Sequence, residues 1–284
     1  MGETAYFVTP ALIAGYTAHL RDQEKAENTI HQYEKNLNDL CYELNGKPLT
    51  KAELIRWKKQ LTDKYAAATV NTILAAINGF LKFAGWSDII VKLLKIQRSS
   101  FTDGNRDLSR EDYVRLVQAA EEQGNQRLAL ILQTICATGI RVSELKFITV
   151  EAVRTGRAEI VNKGKRRPVF LPGKLRKILK TYSQKQKITA GAVFVTKSGK
   201  ALDRSNIWRD MKALCESAGV EPGKVFPHNL RHLFARTYYT LEKDLSRLAD
   251  ILGHSSISTT RIYTAESGIV HARQMERMGL ILTT

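Results

Sequence analysis

Residues 97–108, Gln-Arg-Ser-Ser-Phe-Thr-Asp-Gly-Asn-Arg-Asp-Leu, interrupt a chain whose apolar residues otherwise recur at helical spacing. A polar stretch of that length with no apolar period has no face to bury. It reads as a connection between two separately packed bodies. The 284 residues are enough for two cores. The expected division is a domain over 1–97, a linker over 98–108 and a domain over 109–284.

On the N-terminal side, Leu12, Ile13, Tyr16 and Leu20, then Ile30, Tyr33, Leu37 and Leu40, predict one or two helices over 10–45. Gly46-Lys47-Pro48 breaks the pattern. Thr50, with Glu53 three residues on, predicts a helix over 50–61 opened by a capping box. Val70, Ile73, Leu74, Ile77, Phe80 and Leu81 predict another over 66–84, ended by Gly85. The expectation is a compact bundle of about four helices.

Beyond the linker, Ser109 with Asp112 signals a helix start, and an apolar helix over 126–138 ends at Thr138-Gly139. Ala158–Val161 and Pro168–Leu171 predict two short strands around a turn that carries Lys163, Lys165, Arg166 and Arg167. Ala192–Val195 reads as a further short strand, and helices are expected over 173–187, 203–218, 227–240, 244–252 and 256–264. The fold class is therefore mainly α with a small antiparallel β-sheet, in two domains.

Charge narrows the class of partner. Lys and Arg number 44 against 28 Asp and Glu, a net charge of +16. Residues 1–100 hold +3 of this and residues 101–284 hold +13. Such a field attracts polyanions, of which nucleic acid is the commonest. No apolar run approaches the ~20 residues of a membrane span, and the N-terminus lacks a signal-peptide pattern. Cys41, Cys136 and Cys215 lie far apart among apolar neighbours, and read as reduced core residues rather than a disulfide or zinc framework. A cytoplasmic protein without membrane contact is expected.

His228, Arg231 and His232 share one face near the start of a helix that Pro227 opens. A guanidinium fork beside an imidazole suits an oxyanion. His254 follows Gly253, Tyr263 lies nine residues on, and Arg141 stands just past a helix stop. Each residue alone has an ordinary structural reading: a surface arginine, a capping histidine, a half-buried tyrosine. His228 and His232 with His254 could form a zinc hydrolase set, but Asn229 stands where that motif requires Glu. A non-catalytic DNA-binding protein would have no need of Tyr263.

Taken together, the order and spacing are specific. Ala137–Leu145, Asn162-Lys163-Gly164-Lys165, His228-Asn229-Leu230-Arg231-His232, Leu252-Gly253-His254 and Ile262-Tyr263-Thr264 resemble the active-site boxes of the tyrosine recombinase (phage integrase, Xer-type) family. Thr69-Val70-Asn71 leading to Phe80–Phe83 is similar to that family's helical, SAM-like core-binding domain, so the resemblance covers nearly the whole chain.

The resemblance implies six catalytic positions: Arg141, Lys163, His228, Arg231, His254 and Tyr263. Tyr263 would attack the scissile phosphate and form a 3′-phosphotyrosyl link, releasing a 5′-hydroxyl. Arg141 and Arg231 would hold the non-bridging oxygens, and His228 would accept the tyrosine proton. Lys163 would protonate the leaving oxygen, and His254 would donate a hydrogen bond to the phosphate. Glu144 and His232 would orient these groups. Expected DNA contacts are Lys165, Arg166 and Arg167 beside Lys163, then Arg204, Asn206, Arg209 and Lys212 on the helix from Asp203. Lys64, Thr69 and Asn71 are expected to add contacts from the first domain.

No metal, ATP or other cofactor is expected. The implied partner is double-stranded DNA, gripped by the two domains as a clamp in the nucleoid. A homotetramer is expected on synapsed sites, and a monomer or dimer off DNA. The stretch Gly268–Leu282 is expected to pack on its own domain or on a neighbouring subunit. A type IB topoisomerase, which relaxes DNA by similar chemistry, is the alternative. The absence of an extra N-terminal arm-binding domain leans towards a simple Xer-type enzyme, with an element-encoded integrase of the same two-domain size kept open beside it.

Overall fold

The computed structural model describes residues 6–96, 107–162, 165–196, 198–254, 256–263 and 275–278, with Asn162 and Lys165 as backbone. Lys163 and all but four residues of Gly268–Leu282 lie outside the described residues. The chain splits into two compact units, Met1–Arg98 and Ser99–Thr284.

The first unit is built from α1 (Pro10–Asp22), α2 (Glu27–Leu44), α3 (Lys51–Lys64) and α4 (Ala67–Phe83). Each starts or stops where its sequence supplies a reason. Thr9 accepts from Leu12 N at 3.3 Å with Pro10 in the first turn of α1, and Thr50 accepts from Glu53 N at 3.2 Å in front of α3. The Glu53 carboxylate takes Arg56 at 2.5 Å instead of closing the expected capping box. Leu37, Leu40, Leu74, Ile77 and Phe80, whose helical spacing defined α2 and α4, are fully buried, and so is Leu54 of α3. Two asparagines on α4 then fasten the chain that follows it. Asn78 exchanges hydrogen bonds with the Val91 backbone at 2.8 and 3.2 Å, and Asn71 does the same with Leu94 at 2.9 and 2.7 Å.

The second unit opens with α5 (Arg110–Glu122), where Ser109 and Asp112 form the full reciprocal capping box. Its core is the near-continuously apolar α6 (Gln126–Thr138), which packs against α5 on one side and α10 on another. A short α7 (Val150–Thr155) leads into β1 (Arg157–Asn162) and β2 (Lys165–Phe170), paired antiparallel with Arg157 opposite Phe170. Then come α8 (Gly173–Lys185), α9 (Arg204–Ala213), α10 (Pro227–Glu242), α11 (Leu245–Leu252) and α12 (Ile257–Thr260). A 3-10 turn over Arg261–Tyr263 follows α12. The mainly helical class with one small antiparallel sheet is the class expected. Among the described residues, no helix is long and apolar enough to cross a membrane.

Three local expectations need correction. Ala192–Val195 is not a strand: it makes only isolated bridges, Ala192 to Thr149 and Val195 to Ala201, while Val193 N donates to Ile148 O. Its buried Val193 and Phe194 fill core, which is why the apolar run resembled a strand. The helix expected over 203–218 ends at Ala213, where bonding tightens to Leu214 N→Met211 O and Cys215 N→Lys212 O. Finally, Leu108 is buried in the core of the second unit and Asp107 pairs with Arg236 at 2.7 Å. The last two residues of the expected linker thus belong to this unit.

Candidate active site

Arg231 is the centre of the site. It projects from the second turn of α10 and, at 1% exposure, is the largest fully buried side chain among the described residues. A charge so deep must be satisfied. Its Nη1 donates to Gly139 O at 2.6 Å and its Nη2 to Leu252 O at 2.6 Å. These carbonyls end α6 and α11, so one guanidinium ties together the ends of two helices. Burial and the neighbouring Arg141 still draw its pKa down to about 10, while Tyr263 and Glu144 favour its charged form.

The glycines at these helix ends are required by geometry. Gly139 has φ +65 and Gly253 φ +66, both left-handed. A Cβ on Gly139 would collide with Phe234, and one on Gly253 would lie 2.5 Å from the Arg167 side chain. Close approach of α10 and of β2 to these turns therefore depends on the missing side chains.

Arg141 emerges just after Gly139. Its backbone N–H donates to Glu144 Oε2 at 2.8 Å and its Nη1 to Glu144 Oε1 at 3.1 Å. Glu144 is buried and also accepts from Arg167 Nη2 at 2.7 Å. One carboxylate thus aims two arginines. Arg141, His228 and Arg231 line a common cleft of about 440 Å³ with Arg204, Ser205 and Trp208 of α9.

His254 follows Gly253 and faces Arg231, with Nε2 3.0 Å from Arg231 Nη2. A guanidinium only donates, so Nε2 is the acceptor and Nδ1 carries the proton. That proton goes to Thr260 Oγ1 at 2.8 Å. The expected His254 donation towards a phosphate therefore requires this arrangement to change. Burial first, then Arg231 and Arg141, lowers the His254 pKa to about 4.

Tyr263 is 4% exposed, held in a small cluster with Ala235, Leu248 and Leu252. Its ring meets the His232 ring edge-on at 4.5 Å and stacks on His254 at 5.9 Å. His232 in turn meets His228 at 4.8 Å. Burial and then His228 lower the His232 pKa to about 4, and burial and then Arg231 lower that of His228. The tyrosine accordingly sits among uncharged imidazoles beside a charged arginine.

Five of the six expected catalytic positions, all but Lys163, are thus gathered around Arg231. The peripheral expectations divide. Arg166 on β2 is exposed, as are Arg204, Asn206 and Arg209 on α9, where Arg209 donates to Asn206 at 2.7 Å. Lys64 and Thr69 are exposed in the first unit. Three others are committed within the protein. Arg167 is turned inward to Glu144 and to Ile251 O at 2.6 Å, and burial lowers its pKa, so it anchors the hairpin rather than facing solvent. Asn71 spends its amide on Leu94, and Lys212 donates to Pro222 O. Thr260 and Asp107 were not anticipated, because their partners are chosen by the fold and no local pattern marks them. Among the described residues, no group of three His, Cys, Asp or Glu is placed to hold a metal ion.

The phage integrase family model matches residues 106–268, more than half of the chain, and its N-terminal SAM-like domain matches residues 13–88. The chain belongs to the phage integrase family. Tyrosine recombinase XerA of Pyrococcus furiosus is 27% identical over 276 residues, covering 94% of this chain and 93% of the relative. Tyrosine recombinase XerC of Roseiflexus castenholzii is 29% identical over 278 residues, covering 89% and 88%. The fold is similar to that of a chain in the crystal structure of a lambda integrase tetramer bound to a Holliday junction, with a TM-score of 0.70 at 18% identity over 92% of this chain and 78% of that one. This integrase-family chain is a tyrosine-type site-specific recombinase, an enzyme that cleaves and rejoins DNA.

Proposed function

We propose that this recombinase exchanges duplex DNA strands through a 3′-phosphotyrosyl intermediate on Tyr263, without metal or ATP. The observation that carries the reading is the packing of Tyr263 against His232 and His254 beside Arg231, which itself lines the cleft shared with Arg141 and His228. The Tyr263 hydroxyl attacks phosphorus, the bond to the 5′-oxygen breaks, and the tyrosine proton passes to His228. Lys163 supplies the proton that the 5′-oxygen takes on leaving. Attack by a 5′-hydroxyl of the partner strand reverses the step. One phosphodiester replaces another, so no external energy source is needed. Arg141 and Arg231 supply the positive charge that a metal would otherwise bring to the developing oxyanion, with Glu144 fixing Arg141.

The substrate is double-stranded DNA, and the working assembly is a homotetramer on two synapsed sites. The first unit acts as the core-binding domain, with Lys64 and Thr69 towards the backbone. Arg166, Arg204, Asn206 and Arg209 serve as the contacts of the second unit. The test is a nicked suicide duplex incubated with the full chain in EDTA. A covalent adduct is expected with the native chain and none with Tyr263→Phe, which should bind the duplex nearly as well. An adduct that survives in Tyr263→Phe refutes the nucleophile, and loss of cleavage in EDTA refutes the metal-free mechanism.

A further inference from the structure

We propose that Asp107 is a positioning residue for the nucleophile, acting through His232; this rests on the role of Tyr263 proposed above. Asp107 and Leu108 are the first described residues of the second unit, and buried Leu108 fixes the backbone there. Asp107 Oδ2 accepts from Arg236 Nη1 at 2.7 Å, and its Oδ1 lies 3.9 Å from His232 Nδ1. His232 and Arg236 are four apart on α10, so one carboxylate addresses two side chains of a single helix face. The His232 ring also meets Tyr263 at 4.5 Å and His228 at 4.8 Å, both edge-on.

The chain of contact therefore runs Asp107, His232, Tyr263, with Arg236 holding the carboxylate in place. Asp107 is, among the described residues, the one acidic group whose charge is felt at His232, against the opposing charges of His228, Arg236 and Arg231. An imidazole packed only by other rings can turn about its Cβ–Cγ bond. A fixed negative charge opposite Nδ1 favours the orientation and tautomer that present N–H to it. That orientation sets the surface against which Tyr263 rests. Attack on phosphorus needs the phenol oxygen in line, and small displacements are costly in rate. The residue where the chain enters the catalytic unit thus bears on the reacting side chain.

The experiment measures single-turnover adduct formation by the full chain on a saturating suicide duplex, together with site affinity and thermal midpoint. Asp107→Ala is expected to slow adduct formation by roughly 5–10-fold while affinity and midpoint stay at native values. Asp107→Glu should recover most of the rate. In a His232→Asn background, Asp107→Ala should cause no further slowing. Arg236→Gln, which loosens the carboxylate from the other side, should slow the reaction in the same way and covers the case in which Asp107→Ala fails to fold. Native cleavage rates in Asp107→Ala and Arg236→Gln overturn the proposal, as does slowing that persists undiminished in the His232→Asn background. If the native chain forms no adduct, it is the Tyr263 reading that fails.

Discussion

At the scale of single residues, the site is governed by where charge is permitted. Arg231 stays charged because two helix-end carbonyls and Tyr263 accept hydrogen bonds from it, and burial first, then its field, keeps His254 and His228 neutral. This has a measurable consequence for stability. His232 and His254 titrate near 4 in the folded chain, well below the ~6.5 of an unfolded histidine. Between those values the unfolded chain binds protons that the folded one refuses. Stability contributed by the neutral rings is complete above about pH 6.5 and is lost as pH falls towards 4. The two together should remove up to about 5 kcal/mol by pH 4.5, less to the extent that solvent screens the half-exposed His254. Denaturant unfolding at pH 7.5, 6 and 5 checks this, and His232→Gln should flatten the decline. A free energy that is level from 7.5 to 5 contradicts it.

At the scale of elements, most of the architecture could be read from periodicity and caps. The Ser109 and Asp112 box and the glycine stop at Gly139 are local signals with local causes and fell where expected, while the hairpin formed with a tighter turn, so that Lys165, Arg166 and Arg167, read as turn residues, pair within β2. Those that misled were residues whose partners lie far along the chain. Asn71 precedes its partner Leu94 by 23 residues, and Arg167 precedes Ile251 by 84. A polar side chain near a helix start reads as a ligand contact until the fold supplies a carbonyl for it. Asn71 should accordingly behave as a fastener of the segment after α4. Asn71→Ala forfeits both bonds to Leu94 and should destabilise the first unit by about 1–3 kcal/mol. Amide exchange would report this as faster opening around Leu94. Weakened duplex binding by a variant whose stability is unchanged would show instead that Asn71 meets DNA.

At the scale of the whole molecule, a net charge of +16 concentrated after residue 100 makes phosphate neutralisation the main source of affinity for a duplex. A grip on ~6–10 phosphates gives a log–log dependence of binding on salt with a slope of about −5 to −9. On the reading proposed above, exposure separates the cations that can contribute from those that cannot. Arg166 is free to face a backbone, whereas Arg167 beside it is held by Glu144 and Ile251. Arg166→Ala should therefore flatten the slope by about one and leave folding untouched. Arg167→Ala should leave the slope nearly unchanged and lower stability, because Glu144 loses one of its two arginines and the hairpin its tether to α11. Fluorescence anisotropy of the full chain on a labelled duplex between about 50 and 200 mM salt, paired with unfolding curves, separates the two. Equal slope changes in both variants would mean that the hairpin releases Arg167 on binding, and that its inward turn belongs to the DNA-free state alone.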